Sequence, residues 1–268
     1  MLGKLMKYEF KACGRIFFPL YIGILFLAVI NGVSIGSSLK AEDGSILDTN
    51  VLNTQSILTL VMVALFVALF VITIVLTIQR FNKSLLEDEG YLMFTLPVKT
   101  SSLILSKLLV TLIYTIISAI VALLSFLIIG AIGGDVNIVE FFKFLSKESM
   151  LGENIDFIIY MSLWVLIGYI IFILSIYLSL SIGQLPQISK YKMSAGVVLF
   201  FIINLIINKI ETFMRNWIVG SVPEVDLTSS ISAITYKYLF IGSLISIIIG
   251  LILFFSINWI LNKKLNLE

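Results

Sequence analysis

The chain of 268 residues is 59% hydrophobic and only 13% charged, with a mean hydropathy of +1.10, which excludes a water-soluble domain, where about 25% of residues are charged. Its net charge is +2, it has no histidine, and Cys13 is its single cysteine. That excludes an intrachain disulfide and removes the commonest metal ligand and proton shuttle.

At the amino terminus Lys4, Lys7, Lys11 and Arg15 share one helical face, and Leu2, Leu5, Met6, Phe10 and Cys13 share the other. The pattern predicts an interfacial elbow helix over residues 1–14, its apolar face in the headgroup boundary and its basic face on anionic lipid. Glu9 falls near the apolar face, where it snorkels, pairs with a lysine or contacts another part of an assembly. The alternative is a basic flank of the first span with no separate helix. The apolar run from Ile16 to Ile35 exceeds the ~7 to 15 residues of a signal-peptide core, so the segment is expected to be retained.

Further apolar stretches run from Ile57 to Ile78, Leu103 to Ile129, Phe157 to Ile182, Ala195 to Ile207 and Leu239 to Ile260. All but the fifth approach the ~20 residues that a helix needs to cross ~30 Å of hydrocarbon; the fifth is short and polar-edged. Continuous apolar runs suit helices, not alternating barrel strands. The expected fold is all-α: one polytopic domain over 1–268 with six transmembrane helices, outer loops at 131–156 and 209–238, and a cytoplasmic loop at 80–102.

That cytoplasmic loop has the most specific local sequence. An acidic cluster, Glu87, Asp88 and Glu89, and then Gly90 precede Tyr91, Leu92 and Phe94; Pro97 stops the segment, and Thr100, Ser101 or Ser102 is placed to cap the third span. The segment reads as a short amphipathic element below the membrane whose apolar side chains need a partner, or as a lipid-facing interfacial helix whose acids are solvated. In the outer loops, Ile138, Phe141, Phe142 and Leu145 share a helical face, and residues 210–237 carry Trp217 and Pro223; both segments suit the outer leaflet surface.

Orientation follows from the cations. Lys4, Lys7, Lys11, Arg15, Arg80, Lys83, Lys99, Lys107, Lys190, Lys192, Lys263 and Lys264 fall on one side of the six spans, twelve of the eighteen Lys and Arg residues. Loops carrying that excess are cytoplasmic, so both termini are expected inside.

Within the spans, small residues recur at four-residue spacing as Ser175, Ser179 and Gly183, as Gly242, Ser246 and Gly250, and as Thr111, Thr115 and Ala119 with Tyr114 and Ser118 beside them. Such stripes are packing seams before they are substrate contacts. Asn31, Thr73, Thr77, Tyr169, Asn204 and Asn208 are the candidates for lining a pathway, with bonding between helices as the alternative. No charged residue falls in the middle of these runs, which argues against an ion-coupled carrier. A mostly apolar pathway dotted with hydroxyl groups suits an amphipathic cargo.

Glu87-Asp88-Glu89-Gly90, Leu92, Thr95-Leu96-Pro97-Val98 and Leu105-Ser106-Lys107 together resemble the cytoplasmic signature of the type-2 class of ABC exporter permeases. Lys7-Tyr8-Glu9-Phe10-Lys11 resembles the elbow helix of small bacterial members, and the six-span layout covers the whole chain. The resemblance implies that the segment from Glu87 is a coupling helix docking on a separate ATP-binding subunit, and that Lys4, Lys7, Glu9, Phe10 and Lys11 belong to the elbow. It implies a bacterial cytoplasmic membrane, two permease chains with two ATPase subunits, and short outer helices before the last span that cap the exit. The cargo it implies is an antimicrobial peptide or a lipid-like toxin. The chain has no G-x-x-x-x-G-K-[ST] phosphate loop, so ATP and Mg would be held by the partner and no cofactor or catalytic site by this chain. Other readings are a partner-independent carrier or channel, a membrane scaffold that moves nothing and, third, a membrane enzyme.

Overall fold

The structure is a computed structural model that describes residues 2–41, 49–86, 90, 98–134, 155–185, 192–220 and 227–263. Every described element is a helix: α1 (Leu2–Ala41), α2 (Thr49–Phe81) running into a π-turn (Asn82–Leu86), α3 (Thr100–Gly133), α4 (Ile155–Gly183), α5 (Lys192–Gly220) and α6 (Leu227–Lys263). Each of the six contains a stretch long and apolar enough to cross a membrane: Leu2–Ser37, Thr54–Leu86, Thr100–Gly133, Ile158–Gly183, Ser194–Trp217 and Leu239–Asn262. By length and composition this is a multi-pass membrane protein. The chain divides into two compact units, residues 1–77 with 109–153, and residues 78–108 with 154–268.

In the first unit, α1 buries a stripe of Cys13, Phe17, Tyr21, Ile24, Ala28 and Asn31, and α3 buries Val110, Tyr114, Ser118, Val121 and Ser125. Both stripes keep the three- and four-residue spacing of one helical face. Tyr114 is the centre of the contact. Its ring stacks on Phe10 and on Phe17, each at a centroid distance of 4.7 Å, and its hydroxyl donates to the Phe10 carbonyl at 2.7 Å. The Tyr21 hydroxyl lies 2.8 Å from Ser118 Oγ and 3.2 Å from the Tyr114 carbonyl.

Farther along, α1 and α3 touch through glycine. A Cβ on Gly32 would lie 2.9 Å from Ile132 Cβ, and one on Gly36 would lie 2.9 Å from the Ile132 carbonyl oxygen. Contacts rise in number along both helices, so α1 and α3 run parallel, as alternate spans must. Asn31 reaches Met62 of α2, and Phe66 of α2 stacks on Phe126 of α3 at 5.4 Å. α3 ends at Gly134, whose φ of 89° is the left-handed conformation that stops a helix at little cost for glycine.

These contacts change the reading of the amino terminus. α1 is one helix of 40 residues, about 60 Å long, with Pro19 inside it and no boundary setting residues 2–14 apart. Its apolar side is covered in part by protein: Cys13 is buried, Met6 packs on the core cluster, and Phe10, still 41% exposed, lies on Tyr114. The amphipathic pattern was real, but the stacking of Phe10 and Phe17 on Tyr114 gives its apolar face a partner within the chain.

In the second unit, α4 is enclosed on all sides over residues 173–179 and lies against α5 and α6. Ser175, Ser179 and Gly183 are buried, and Gly196 of α5 approaches Ser179 and Leu180. Gly242 faces Trp164 and Gly250 faces Ile171, so α6 runs parallel to α4; Asn204 bonding Ser175 beside Gly196 at Ser179 makes α5 antiparallel. The first small-residue stripe is therefore a packing seam, as expected, while Ser246 and Gly250 of the second border a cavity of about 330 Å³. In α3 the buried face is that of Tyr114 and Ser118, with Thr111 and Thr115 half-buried and Ala119 exposed.

The fifth helix is longer than its apolar run. It continues through Lys209, Glu211 and Arg215 to Gly220, and α6 is already helical from Leu227, so most of residues 209–238 is helix.

Candidate functional site

The loop end of the second unit gathers the π-turn, the start of α3 and the carboxyl ends of α4 and α6. Phe81, Ser84, Leu85 and Leu86 are all buried. Phe81 stacks almost face to face on Tyr177 of α4, with centroids 4.1 Å apart and planes 10° off parallel. Gln184, just past α4, donates to Asn82 Oδ1 at 3.5 Å, and Ser84 Oγ donates to the Arg80 carbonyl. The turn therefore rests on α4 by a ring pair and a side-chain bond. π-turns of this kind often mark functional positions.

Gly90 is buried and packs on the turn. A Cβ there would lie 2.7 Å from the Leu85 carbonyl oxygen and 2.9 Å from the Leu85 carbonyl carbon. Backbone atoms yield little, so only glycine fits.

On the other side of the loop, α3 starts with Ser102 and Leu103 N–H groups donating to the Lys99 carbonyl at 2.9 and 3.4 Å. Thr100, expected among the caps, donates its hydroxyl instead to Asn262 Oδ1 of α6 at 2.7 Å. Leu103, Ile104 and Ser106 are almost fully buried. Lys107, counted from sequence with the loop cations, is only 4% exposed and engaged by neighbours. An ionisable group so placed in a membrane helix is costly unless paired, and such groups mark functional positions.

Of the residues expected to couple to a partner, Gly90 alone is described; Glu87, Asp88, Glu89, Tyr91, Leu92, Phe94 and Pro97 lie outside the described residues. Of the elbow residues, Lys4, Lys7 and Lys11 are exposed, Glu9 is half-buried and engaged, and Phe10 is stacked on Tyr114.

The candidate pathway residues separate between the units. Asn31, Thr73 and Thr77 belong to the first; Tyr169, Asn204 and Asn208 belong to the second. Thr73 and Thr77 return their hydroxyls to the Leu69 and Thr73 carbonyls at 2.8 and 2.7 Å, which satisfies them within α2. Asn204 Nδ2 bonds the Phe200 carbonyl at 2.9 Å and Ser175 Oγ at 3.3 Å, so it ties α5 to α4. Asn208 is exposed, and Tyr169 is half-buried with its ring near Phe172. Asn31 differs: it is 2% exposed, its Nδ2 reaches Met62 Sδ at 3.7 Å, and its Oδ1 has no partner among the described residues.

Tyr21, Tyr114 and Lys107 were not singled out from sequence as a cluster or a buried charge. The signal was present in the apolar spacing of 17, 21, 24 and 28, which places Tyr21 on the inward face. Comparison of the chain with protein-family models finds no match, and comparisons with curated proteins and with solved structures find none.

Proposed function

We propose that the chain is the membrane-spanning permease subunit of an ATP-driven exporter, with the Glu87 to Phe94 segment as its coupling element. The observation that supports this reading best is the platform from which the segment springs. Phe81 on Tyr177, Gln184 on Asn82, Thr100 on Asn262 and Gly90 against Leu85 tie four helices together at one end. A push delivered there would pass to α2, α3, α4 and α6 and not be lost in a slack loop. The signature resemblance and the excess of cations on that side of the spans support the same assignment.

In this reading the two flanks of the loop are fixed, so force from a closing ATPase pair moves helices. The acids Glu87, Asp88 and Glu89 supply charge for the contact with the partner, and Lys4, Lys7, Lys11 and Arg15 belong to the cation excess that marks cytoplasmic loops. Cargo is an amphipathic molecule, moved outward through a second permease chain paired with this one.

The test is gentle purification of the tagged chain from its native membrane, with mass spectrometry for a stoichiometric phosphate-loop ATPase. The expected result is a near-equimolar ATPase that is lost on Glu89→Arg, while that variant still inserts in the membrane. Repeated purification without such a subunit, under conditions that preserve known complexes, overturns the reading and leaves a carrier or a scaffold.

A further inference from the structure

Helix α5 outlasts its apolar run, and its continuation carries charge alongside the apolar stretches of its neighbours. Asn204, Asn208, Glu211 and Arg215 follow one another at intervals of four, three and four residues, so they line one face of α5. Two contacts with α4 set their level: Gly196 lies at Ser179 and Leu180, and Asn204 bonds Ser175. The two helices are antiparallel, so seven residues on from Asn204 matches seven back from Ser175, which brings Glu211 level with Gly168. Gly168 is ten residues, ~15 Å, inside the start of the α4 apolar stretch at Ile158. Gly242 at Trp164 and Gly250 at Ile171 put the same level near Ser246 of α6, seven residues or ~10 Å inside Leu239. Hydropathy assigns Glu211 to a loop; the structure sets it beside helices at membrane depth.

Beyond the Asn204–Ser175 bond, α4 and α5 part. Glu211 shares the face of Asn204, and Gly168 shares the face of Ser175, two turns along each helix. Yet Gly168 is exposed, and a Cβ there would meet nothing within 4 Å. Glu211 is half-buried, Asn208 and Arg215 are exposed, and no ion pair or side-chain hydrogen bond ties any of the three among the described residues. An unpaired charge in hydrocarbon is costly, and ionisable groups on membrane helices accordingly face partners or water. Arg215 is long enough to snorkel; Asn208 and Glu211, shorter and deeper, are not.

We propose that the first half of α4 and the second half of α5 enclose a water-filled cleft, with Gly168 on one wall, Asn208, Glu211 and Arg215 on the other, and the Asn204–Ser175 bond as its floor. It opens at the end of the unit where α4 and α6 begin, the outer end by the cation count. Water, and the polar part of any solute that the chain moves, enters the membrane along this face to at least the level of Glu211. The inference does not rest on the exporter reading, because a carrier or channel would use the same cleft.

The test reads water along α5 by thiol chemistry, in the full chain carrying Cys13→Ala and so no native thiol. Single variants are Asn208→Cys and Glu211→Cys on the polar face, Ile206→Cys, Ile210→Cys and Phe213→Cys on the exposed apolar faces between and beside them, and Asn216→Cys as an exposed reference. Membranes are permeabilised so that a polar maleimide reaches both sides, and rates are compared at equal amounts of inserted chain. Only thiolate reacts, and apolar surroundings suppress it. Asn208→Cys and Glu211→Cys are expected within about tenfold of the Asn216→Cys rate, and the three apolar-face variants at least about a hundredfold below it. Gly168→Leu, which puts a side chain into the open space, is expected to slow Glu211→Cys and leave Asn216→Cys unchanged. Rates that climb smoothly from Ile206→Cys to Asn216→Cys whatever the face mean that the bilayer surface dips there, and overturn the cleft. Rates at Asn208→Cys and Glu211→Cys as slow as at Phe213→Cys overturn it too, since that face then meets lipid or a second copy. So does a Glu211→Cys rate that Gly168→Leu leaves unchanged.

Discussion

At the scale of single residues, polar side chains in this protein divide into those satisfied by their own helix and those that act between helices. From sequence they look alike. Thr73 and Asn31 both stand in apolar runs, yet Thr73 closes a bond to Leu69 while Asn31 leaves its Oδ1 unpaired at 2% exposure. A buried acceptor without a donor costs about 1–3 kcal/mol. Asn31→Leu is therefore expected to stabilise the chain by an amount of that order, measured as a higher unfolding midpoint in detergent. Unchanged or lower stability would mean that Asn31 has a hydrogen-bonding role that leucine cannot fill, and would return it to the pathway candidates. Sequence identifies an asparagine in a span; which helix it faces depends on the stripe of Phe17, Tyr21, Ile24 and Ala28, and that stripe is legible only as a period, not as a partner.

At the scale of elements, the six apolar helices were legible because a 20-residue run has no other stable form in hydrocarbon. Their ends were less so. Hydropathy ended the fifth run at Ile207, because Lys209, Glu211 and Arg215 lower it, yet none of those residues opposes helix formation, and the helix stops only at Gly220. The amino-terminal pattern shows the converse: an amphipathic face says that something apolar lies opposite, and for Phe10 part of that is Tyr114 of α3. The close approach of α1 to α3 was readable as Gly32 and Gly36, four residues apart, but its partner Gly133 was not. The seam makes a graded prediction. Gly32→Ala would force its Cβ to 2.9 Å from Ile132 Cβ and 3.3 Å from Ile129 Cα, and is expected to destabilise by about 1–3 kcal/mol. Gly23→Ala, with nothing within 4 Å, is expected to be neutral or to stabilise by up to about 1 kcal/mol through helix propensity. Equal unfolding midpoints for the two variants would sink the assignment of Gly32 to a helix seam.

At the scale of the whole molecule, the alternation of six spans ties local geometry to sidedness. Within the second unit, Thr100 meets Asn262, α6 runs with α4, and α5 runs against α4, so the start of α3 and the end of α5 lie at opposite ends. The cation count assigns the first of those ends to the cytoplasm. Cys13, the single cysteine, is buried and can be replaced by alanine to give a chain without thiols. Added to that background, Lys99→Cys and Asn216→Cys place one thiol at each end, at positions that are exposed. A membrane-impermeant maleimide is expected to label Asn216→Cys in intact cells and Lys99→Cys only after permeabilisation. Labelling from the same side would break the alternation of the spans. A full reversal would keep the fold but turn the Glu87 to Phe94 segment away from cytoplasmic ATP, and a coupling role for that segment would then have no energy source to couple to.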